Sequence, residues 1–512
     1  MPTAHHNAHQ YSQKVPLAQF WAVKPTLIIT LLLLALLFRA RPLTLNRFHA
    51  DEALYGHYAQ RIASGRDPLL HDIAVDKPPL VFYLAAASLA QLGPQHGGEP
   101  LKAEFALRLP ALFASLVAVA LVYPLGRALY SHSAGLWAAL LLALSPFAIQ
   151  FSPTLFLDPL IVTLLLAAFL AAHHQRWALT GLLLGLAFAT KQTALLYAPL
   201  AVSIGLLSPR FVWTWPTARH AAFALTLGFL PPLALTLGWD LLRAPDRDFW
   251  SLGVDQNLPR RLIRSTELLP RLRAWWAAGQ YLIGDGLATT LALLTLPVLA
   301  IRALTGPRTR SALVTLFLLG YVLAYLALYT FFAFATFDRY LLGLAPLLAL
   351  LIGATIAQVT NWPAPHPRAA PVITAVLLAG LLLPSAIAAS RTAYPIGGDH
   401  GGHDGLDAVS AYLDAVPTGS VVYDYWLSWP LRFYLYDAPV LVIWQPGPAA
   451  LATDLQAFGR TTSRYMVVPA WAPFNEFEHA IGQTGYTTEL VFTATGRTAA
   501  PTFYVYQFTP TP

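Results

Sequence analysis

The chain has 512 residues, of which 56% are hydrophobic and only 11% charged, with no cysteine and a formal net charge of +7. Soluble domains carry about 25% charged residues, and apolar runs of 18 or more recur through the first 390 positions, so a water-soluble protein is excluded. The lysines and arginines are spread singly, which excludes nucleic acid as the expected partner, and the lack of cysteine removes disulfides, thiolate catalysis and cysteine metal sites.

In chain order, residues 1–22, with His5–His9 and Lys14, read as a cytoplasmic tail. The following apolar run ends at Arg39 and Arg41 without a small-residue cleavage site, so a retained anchor helix is expected. Candidate spans are 23–43, 105–128, 133–152, 155–173, 176–190, 192–208, 219–242, 281–303, 311–335, 340–359 and 370–390, eleven in a transmembrane portion 23–390. One further run, Lys77–Leu92 (KPPLVFYLAAASLAQL), has 16 residues and opens on two prolines; it reads as a twelfth span or an interfacial helix.

The charges decide between these. With eleven spans, the inner connections hold Arg127, Arg176, Arg210 and Arg219, then Arg302, Arg308 and Arg310, and finally Arg368, with no Asp or Glu in any of them. All 25 acidic residues then fall on the other side or at its boundary, whereas a twelfth span would turn the acid-free connections outward, against the positive-inside rule. The expected topology has the N-terminus inside and the C-terminus outside.

Three segments then face outward: a first loop 44–104 with interfacial helices, a middle loop 243–280 and a tail 391–512. In the tail, SVVYDYW, APVLVIW, YMVVPA, TELVFTA and TFYVYQF are short β-branched or aromatic runs, and Asp407–Ala415 and Ala450–Phe458 are helix-like. The tail is expected to be a soluble α/β domain behind a glycine-rich linker, Gly397–Gly405.

Chemistry gathers at the outer boundary. In RFHADEALYGHY, Asp51, Tyr55 and Tyr58 are spaced to share one helix face, although Asp51 with Glu52 also reads as an N-cap with a first-turn acid. Asp76 and Lys77 precede two prolines, and Asp158 precedes Pro159, an N-cap and N1 pattern. Lys191 interrupts a long apolar stretch and Arg339 sits between two spans; singly, each basic residue is more often a snorkelling anchor than a ligand, and it is their gathering with the acids that points to a site. The sequence has no HExxH, no GxSxG, no Walker loop and no dinucleotide-binding glycine pattern.

The order of these motifs carries a resemblance. An outward DEALY helix, DKPPL, R-L-P at Arg108–Pro110, outward D-P, T-K and R-Y-L-L follow one another from about 23 to 360. In this the chain resembles the membrane glycosyltransferases of the C-type fold, in the family of protein O-mannosyltransferases and the lipid A aminoarabinose transferase. The resemblance implies a polytopic helical enzyme that moves a sugar, with inversion, from a polyprenyl-phosphate donor to an extracytoplasmic lipid, glycan or protein acceptor.

By motif, Asp51 is the implied catalytic carboxylate and Asp158 the second outer acid, with Lys77, Arg339 and Lys191 near the donor phosphate. Glu52, Tyr55, Tyr58, Asp76 and Tyr340 are expected to line the substrate site. The middle-loop sequence FWSLGVDQNLPRRL places Asp255 and Gln256 where the lipid A branch has Glu-His, so neither a metal nor another cofactor is expected to be required. A transporter of lipid-linked glycans is the alternative from another class, but it should hold its charges near the bilayer midplane in two corresponding halves. A scaffold that has lost its activity fits poorly with intact DE, KPP, D-P and R-Y motifs.

Overall fold

The computed structural model describes residues 25–94, 99–360, 369–458 and 462–511; the expected tail 1–22 and Arg368 lie outside them. All eleven apolar runs contain helix: Pro25–Ala40, Pro100–Leu129, His132–Leu144, Asp158–His173, Trp177–Thr190, a 3-10 turn Gln192–Tyr197 leading into Ala198–Leu206, Trp215–Arg243, Gly286–Thr305, Arg310–Phe331, Leu344–Thr360 and Ala369–Ser390. Proline takes the first or second helical position at Pro42, Pro100, Pro146 and Pro159, where a missing N–H leaves no bond unmade. Ser131, Thr214, Asp285 and Thr309 cap other starts through their side chains. Among the described residues seven helices are long and apolar enough to cross a membrane, and the chain is a multi-pass helical membrane protein.

The marginal run forms the 13-residue helix Leu80–Leu92. At 1.5 Å per residue it reaches roughly 20 Å, well short of a hydrocarbon core of about 30 Å. Its Phe82 packs against Tyr55 and Tyr58 of the helix Ala50–Ala63, so the two helices brace each other. Arg39, expected as a flanking charge, is instead fully buried. Its guanidinium donates to Ser115 and Ser152 hydroxyls and to the carbonyls of Ala35, Leu142 and Ala143, which ties the first helix into the bundle.

The tail forms a five-stranded sheet in the order β2-β1-β3-β5-β4, with β1 (Ser420–Asp424), β2 (Val440–Trp444), β3 (Arg464–Pro469), β4 (Tyr486–Thr495) and β5 (Pro501–Pro510). The first three are parallel, and β5 runs antiparallel to both β3 and β4. Helices Pro448–Ala457 and Asn475–Gly482 cover one face, closing a core of Tyr423, Leu451, Met466 and Phe477. On the other face, Val422, Val467 and Val505 belong to a hydrophobic core that also contains Phe48, Tyr55, Phe82, Leu406 and Phe433. The sheet domain therefore shares its interior with the helices Ala50–Ala63 and Leu80–Leu92 and is not suspended on a free linker.

The glycine-rich stretch is itself tied down. Gln150 holds the carbonyls of Tyr394 and Ile396, and Asp338 accepts from the Gly397 N–H at 2.9 Å. Asp399 pairs with His403, which also bonds the Phe48 carbonyl at 2.9 Å. Burial opposes charge on both partners, but their contact outweighs it: His403 is raised above the usual imidazole range and Asp399 is held below the usual carboxylate range.

Candidate active site

The helix Ala50–Ala63 starts on His49, not on Asp51. The His49 Nδ1 accepts from the Asp51 N–H at 3.1 Å, and the Glu52 carboxylate accepts from the His49 N–H at 3.1 Å, so these two residues form a capping box. The N-cap reading of Asp51 is thereby corrected: its carboxylate has no capping task and pairs with the Arg339 guanidinium. Arg339 lies on the 3-10 turn Asp338–Leu341, its guanidinium 4.5 Å from the centre of the Phe337 ring and 5.3 Å from that of Phe156. Contact with two ring faces fixes the plane of the fork and leaves its donors to the carboxylate.

Asp158 does not cap either. Leu157 occupies the N-cap position, and the Asp158 carboxylate accepts from Lys191 Nζ at 2.8 Å. Lys191 interrupts the apolar run because the chain changes there from the helix Trp177–Thr190 to a 3-10 turn, with Lys191 itself extended. Its ammonium stands 5.2 Å from the centre of the Tyr340 ring. The third pair is Lys77 with Asp76, just before the two prolines.

Asp76 is held by the middle loop and by the residue after Lys191. Asn257 Nδ2 donates to its carboxylate at 3.3 Å and Gln192 Nε2 to its carbonyl at 2.8 Å. The helix Phe249–Asn257 lies this close because residue 253 is glycine: a Cβ there would stand 2.7 Å from both the Asp76 carbonyl and Gln192 Nε2.

Three carboxylates and three cations thus meet at one place, and the pairs balance in charge. Lys77, Lys191, Arg339, Asp158, Tyr55 and Tyr340 border one small cavity. Beside it opens a cavity of about 370 Å³ that shares Lys77, Lys191 and Tyr340 and is otherwise walled mainly by apolar groups such as Leu196, Trp250 and Leu328. The arrangement suits an amphiphile, with cations at one end and hydrocarbon along the rest. Among the carboxylates Asp51 is the accessible one: its side chain is 33% exposed, against 14% for Asp158 and 15% for Asp76.

Two residues expected to line the substrate site border neither cavity. Glu52 is fully buried, receiving Arg108 through both oxygens at 3.1 and 3.2 Å and the Leu155 N–H at 2.8 Å. It joins the Asp51 helix to the loop ahead of Asp158 and so sets their separation. Tyr58 is 2% exposed and donates to the Ala74 carbonyl at 2.8 Å, supporting Tyr55 and Phe82 from behind. Tyr55 and Tyr340 border the small cavity, and Asp76 reaches its edge through Lys77 and Asn257.

Asn257, Gln192 and Phe156 are site residues that the sequence did not single out. Each is placed by contacts between distant segments, and only proximity, of Gln192 to Lys191 and of Phe156 to Asp158, could have drawn attention to two of them. Asp255 points elsewhere, pairing with Arg247 and, at 2.9 Å, with Arg260.

This architecture is the C-type membrane glycosyltransferase fold. ArnT from Cupriavidus metallidurans in its apo state superposes with a TM-score of 0.62 at 16% identity, over 96% of this chain and 98% of that one. The same enzyme bound to undecaprenyl phosphate gives 0.63 at 14% identity, over 94% and 98%. The oligosaccharyltransferase AglB from Archaeoglobus fulgidus, in complex with an inhibitory peptide and a dolichol-phosphate, gives 0.55 at 13% identity, over 94% of this chain and 74% of that one. Residues 76–239 match the family described as dolichyl-phosphate-mannose-protein mannosyltransferase. No curated protein sequence matches the chain.

Proposed function

We propose that the protein is a glycosyltransferase that takes a sugar from a polyprenyl-phosphate donor and passes it, with inversion, to an acceptor lipid, glycan or protein. One observation carries this: the Asp51–Arg339, Asp158–Lys191 and Asp76–Lys77 pairs converge at the head of an apolar cavity, with only Asp51 open. ArnT is known with undecaprenyl phosphate and AglB with a dolichol-phosphate, which supports a lipid-linked donor here.

In this reading the carrier lies along the apolar cavity with its phosphate against Lys77 and Lys191. The acceptor approaches from the side of Asp51. Its oxygen or nitrogen attacks the anomeric carbon opposite the phosphate while Asp51 takes its proton. The bond from the anomeric carbon to the phosphate oxygen breaks, and the departing charge is received by Lys77 and Lys191, with Arg339 as a third cation. Asp158 holds Lys191 in place. This chemistry needs neither a nucleotide-binding domain nor a resident metal.

Lys77→Ala should weaken binding of undecaprenyl phosphate on the order of tenfold or more, since a charge-assisted hydrogen bond contributes about 1.5–3 kcal/mol. Microscale thermophoresis of the purified variant measures it, and an unchanged affinity would return Lys77 to the role of a membrane anchor. In the same reading the site, with loops 44–104 and 243–280 and the tail 391–512, lies outside the membrane and tail 1–22 inside, which the acid-free Arg connections support. Single cysteines report this cleanly in a cysteine-free chain: Thr418→Cys should react with an impermeant maleimide from outside, and Arg308→Cys should not. The reverse labelling pattern would invert the topology.

A further inference from the structure

The sheet domain grips the Asp51 helix at several points, and one of them is a buried hydroxyl. Tyr434 ends the short helix Trp429–Tyr434 and is 5% exposed. Its hydroxyl accepts from the Phe48 N–H at 3.1 Å and donates to the Glu104 carboxylate. Phe48 immediately precedes the capping residue His49. Glu104, 1% exposed, faces Arg47 at 3.4 Å and Arg108 at 3.8 Å, and Arg108 in turn holds Glu52.

One buried hydroxyl therefore connects the sheet domain to both ends of the Glu52 clamp. On one side it fixes the backbone entering the Asp51 helix. On the other it fixes the acid–arginine network that ends on the Leu155 N–H, ahead of Asp158. The fit around it is close. Phe433 packs on Phe48 with ring centres 4.7 Å apart, and its carbonyl accepts from Gln60 at 3.2 Å. A Cβ at Gly56 would lie 2.8 Å from Phe48 and 2.9 Å from Phe433, so the helix has glycine where the domain docks. The neighbouring His57 is driven down to about 4 by burial and by Arg61, Arg432 and Arg66, and it enters this contact uncharged.

We infer that Tyr434 is a positioning residue for glycosyl transfer: through its hydroxyl the sheet domain sets where Asp51 and Asp158 stand. None of Tyr434, Glu104, Arg108 or Glu52 borders the site cavities, so the effect passes through backbone placement. The inference rests on the transfer reading given above, yet its geometry can be tested without turnover.

The test is Tyr434→Phe in the full-length protein, which keeps the ring and removes only the hydroxyl. Hydrogen–deuterium exchange should become faster at the amides of 49–54 and at Leu155, while β3 and β5 stay as in the unaltered protein. Undecaprenyl phosphate affinity should be unchanged, because Lys77 and Lys191 lie on other segments. In a transfer assay kcat should fall on the order of tenfold to 10²-fold, the scale of a sub-ångström to 1 Å displacement, with donor KM unchanged. Ile481→Val, in the helix Asn475–Gly482 that covers the far face of the sheet, is the control for a domain that is merely less stable, and it should leave kcat unaltered.

Unchanged exchange at 49–54 and Leu155 would overturn the inference, as would a kcat loss equal to that of Ile481→Val. If the unaltered protein transfers no sugar, the transfer reading fails by itself, and the exchange data still decide whether Tyr434 positions the Asp51 helix.

Discussion

Asp51→Asn is expected to yield a folded protein whose transfer rate has dropped by roughly 10² to 10⁴-fold, the range for loss of a general base. The separation of fold from activity follows from the start of the helix. His49 and Glu52 satisfy the exposed backbone N–H groups, so the Asp51 side chain is not needed for capping. Asparagine has nearly the same volume and still offers Arg339 an oxygen. If Asp51 served only as a first-turn acid, its replacement would cost about 0.3–1 kcal/mol of dipole interaction and leave turnover intact. Thermal unfolding in detergent together with a transfer assay separates the two, and near-normal turnover would remove Asp51 from the reaction.

Arg108→Met should destabilise the protein by about 3–5 kcal/mol, the usual effect of removing one partner from a buried charge network. Arg108 is 1% exposed and makes five hydrogen bonds: two to Glu52 and one each to the carbonyls of Leu43, Asn46 and Arg47. Methionine fills much of the volume but leaves Glu52 buried without its cation and Glu104 with only Arg47. Since Glu52 also joins the Asp51 helix to Leu155, activity should fall together with stability, unlike in Asp51→Asn. A shift equivalent to less than about 1 kcal/mol in a denaturant titration would show that the network is far weaker than its burial indicates.

Much of this molecule was legible in its sequence because the membrane imposes a long-wavelength pattern. Every expected span contains helix, and all five β-rich runs of the tail became strands, since length and alternation are local properties. The cations and acids of the site were legible too, being charges in a chain that has few. Their partners were not. Asp51 and Asp158 both sit where a cap is the common role, and only the folded chain shows His49 and Leu157 in the cap positions while the acids face Arg339 and Lys191. Glu52 and Asp51 are adjacent in sequence, yet a helix turns successive side chains about 100° apart, which sends one into the interior and the other to the surface. Tyr434 lies 330 residues from Glu104, and nothing in either local sequence announces the pairing.

In the proposed function the three ion pairs at the head of the apolar cavity serve transfer from a polyprenyl-phosphate sugar. Incubating the purified protein, reconstituted in lipid, with a panel of undecaprenyl-phosphate-linked sugars and a membrane extract as the source of acceptor measures this most directly, with chromatography following free undecaprenyl phosphate. Release is expected from at least one donor by the unaltered protein, and none above background by Asp51→Asn. Equal release by both proteins, or binding of undecaprenyl phosphate without release from any donor, would contradict it.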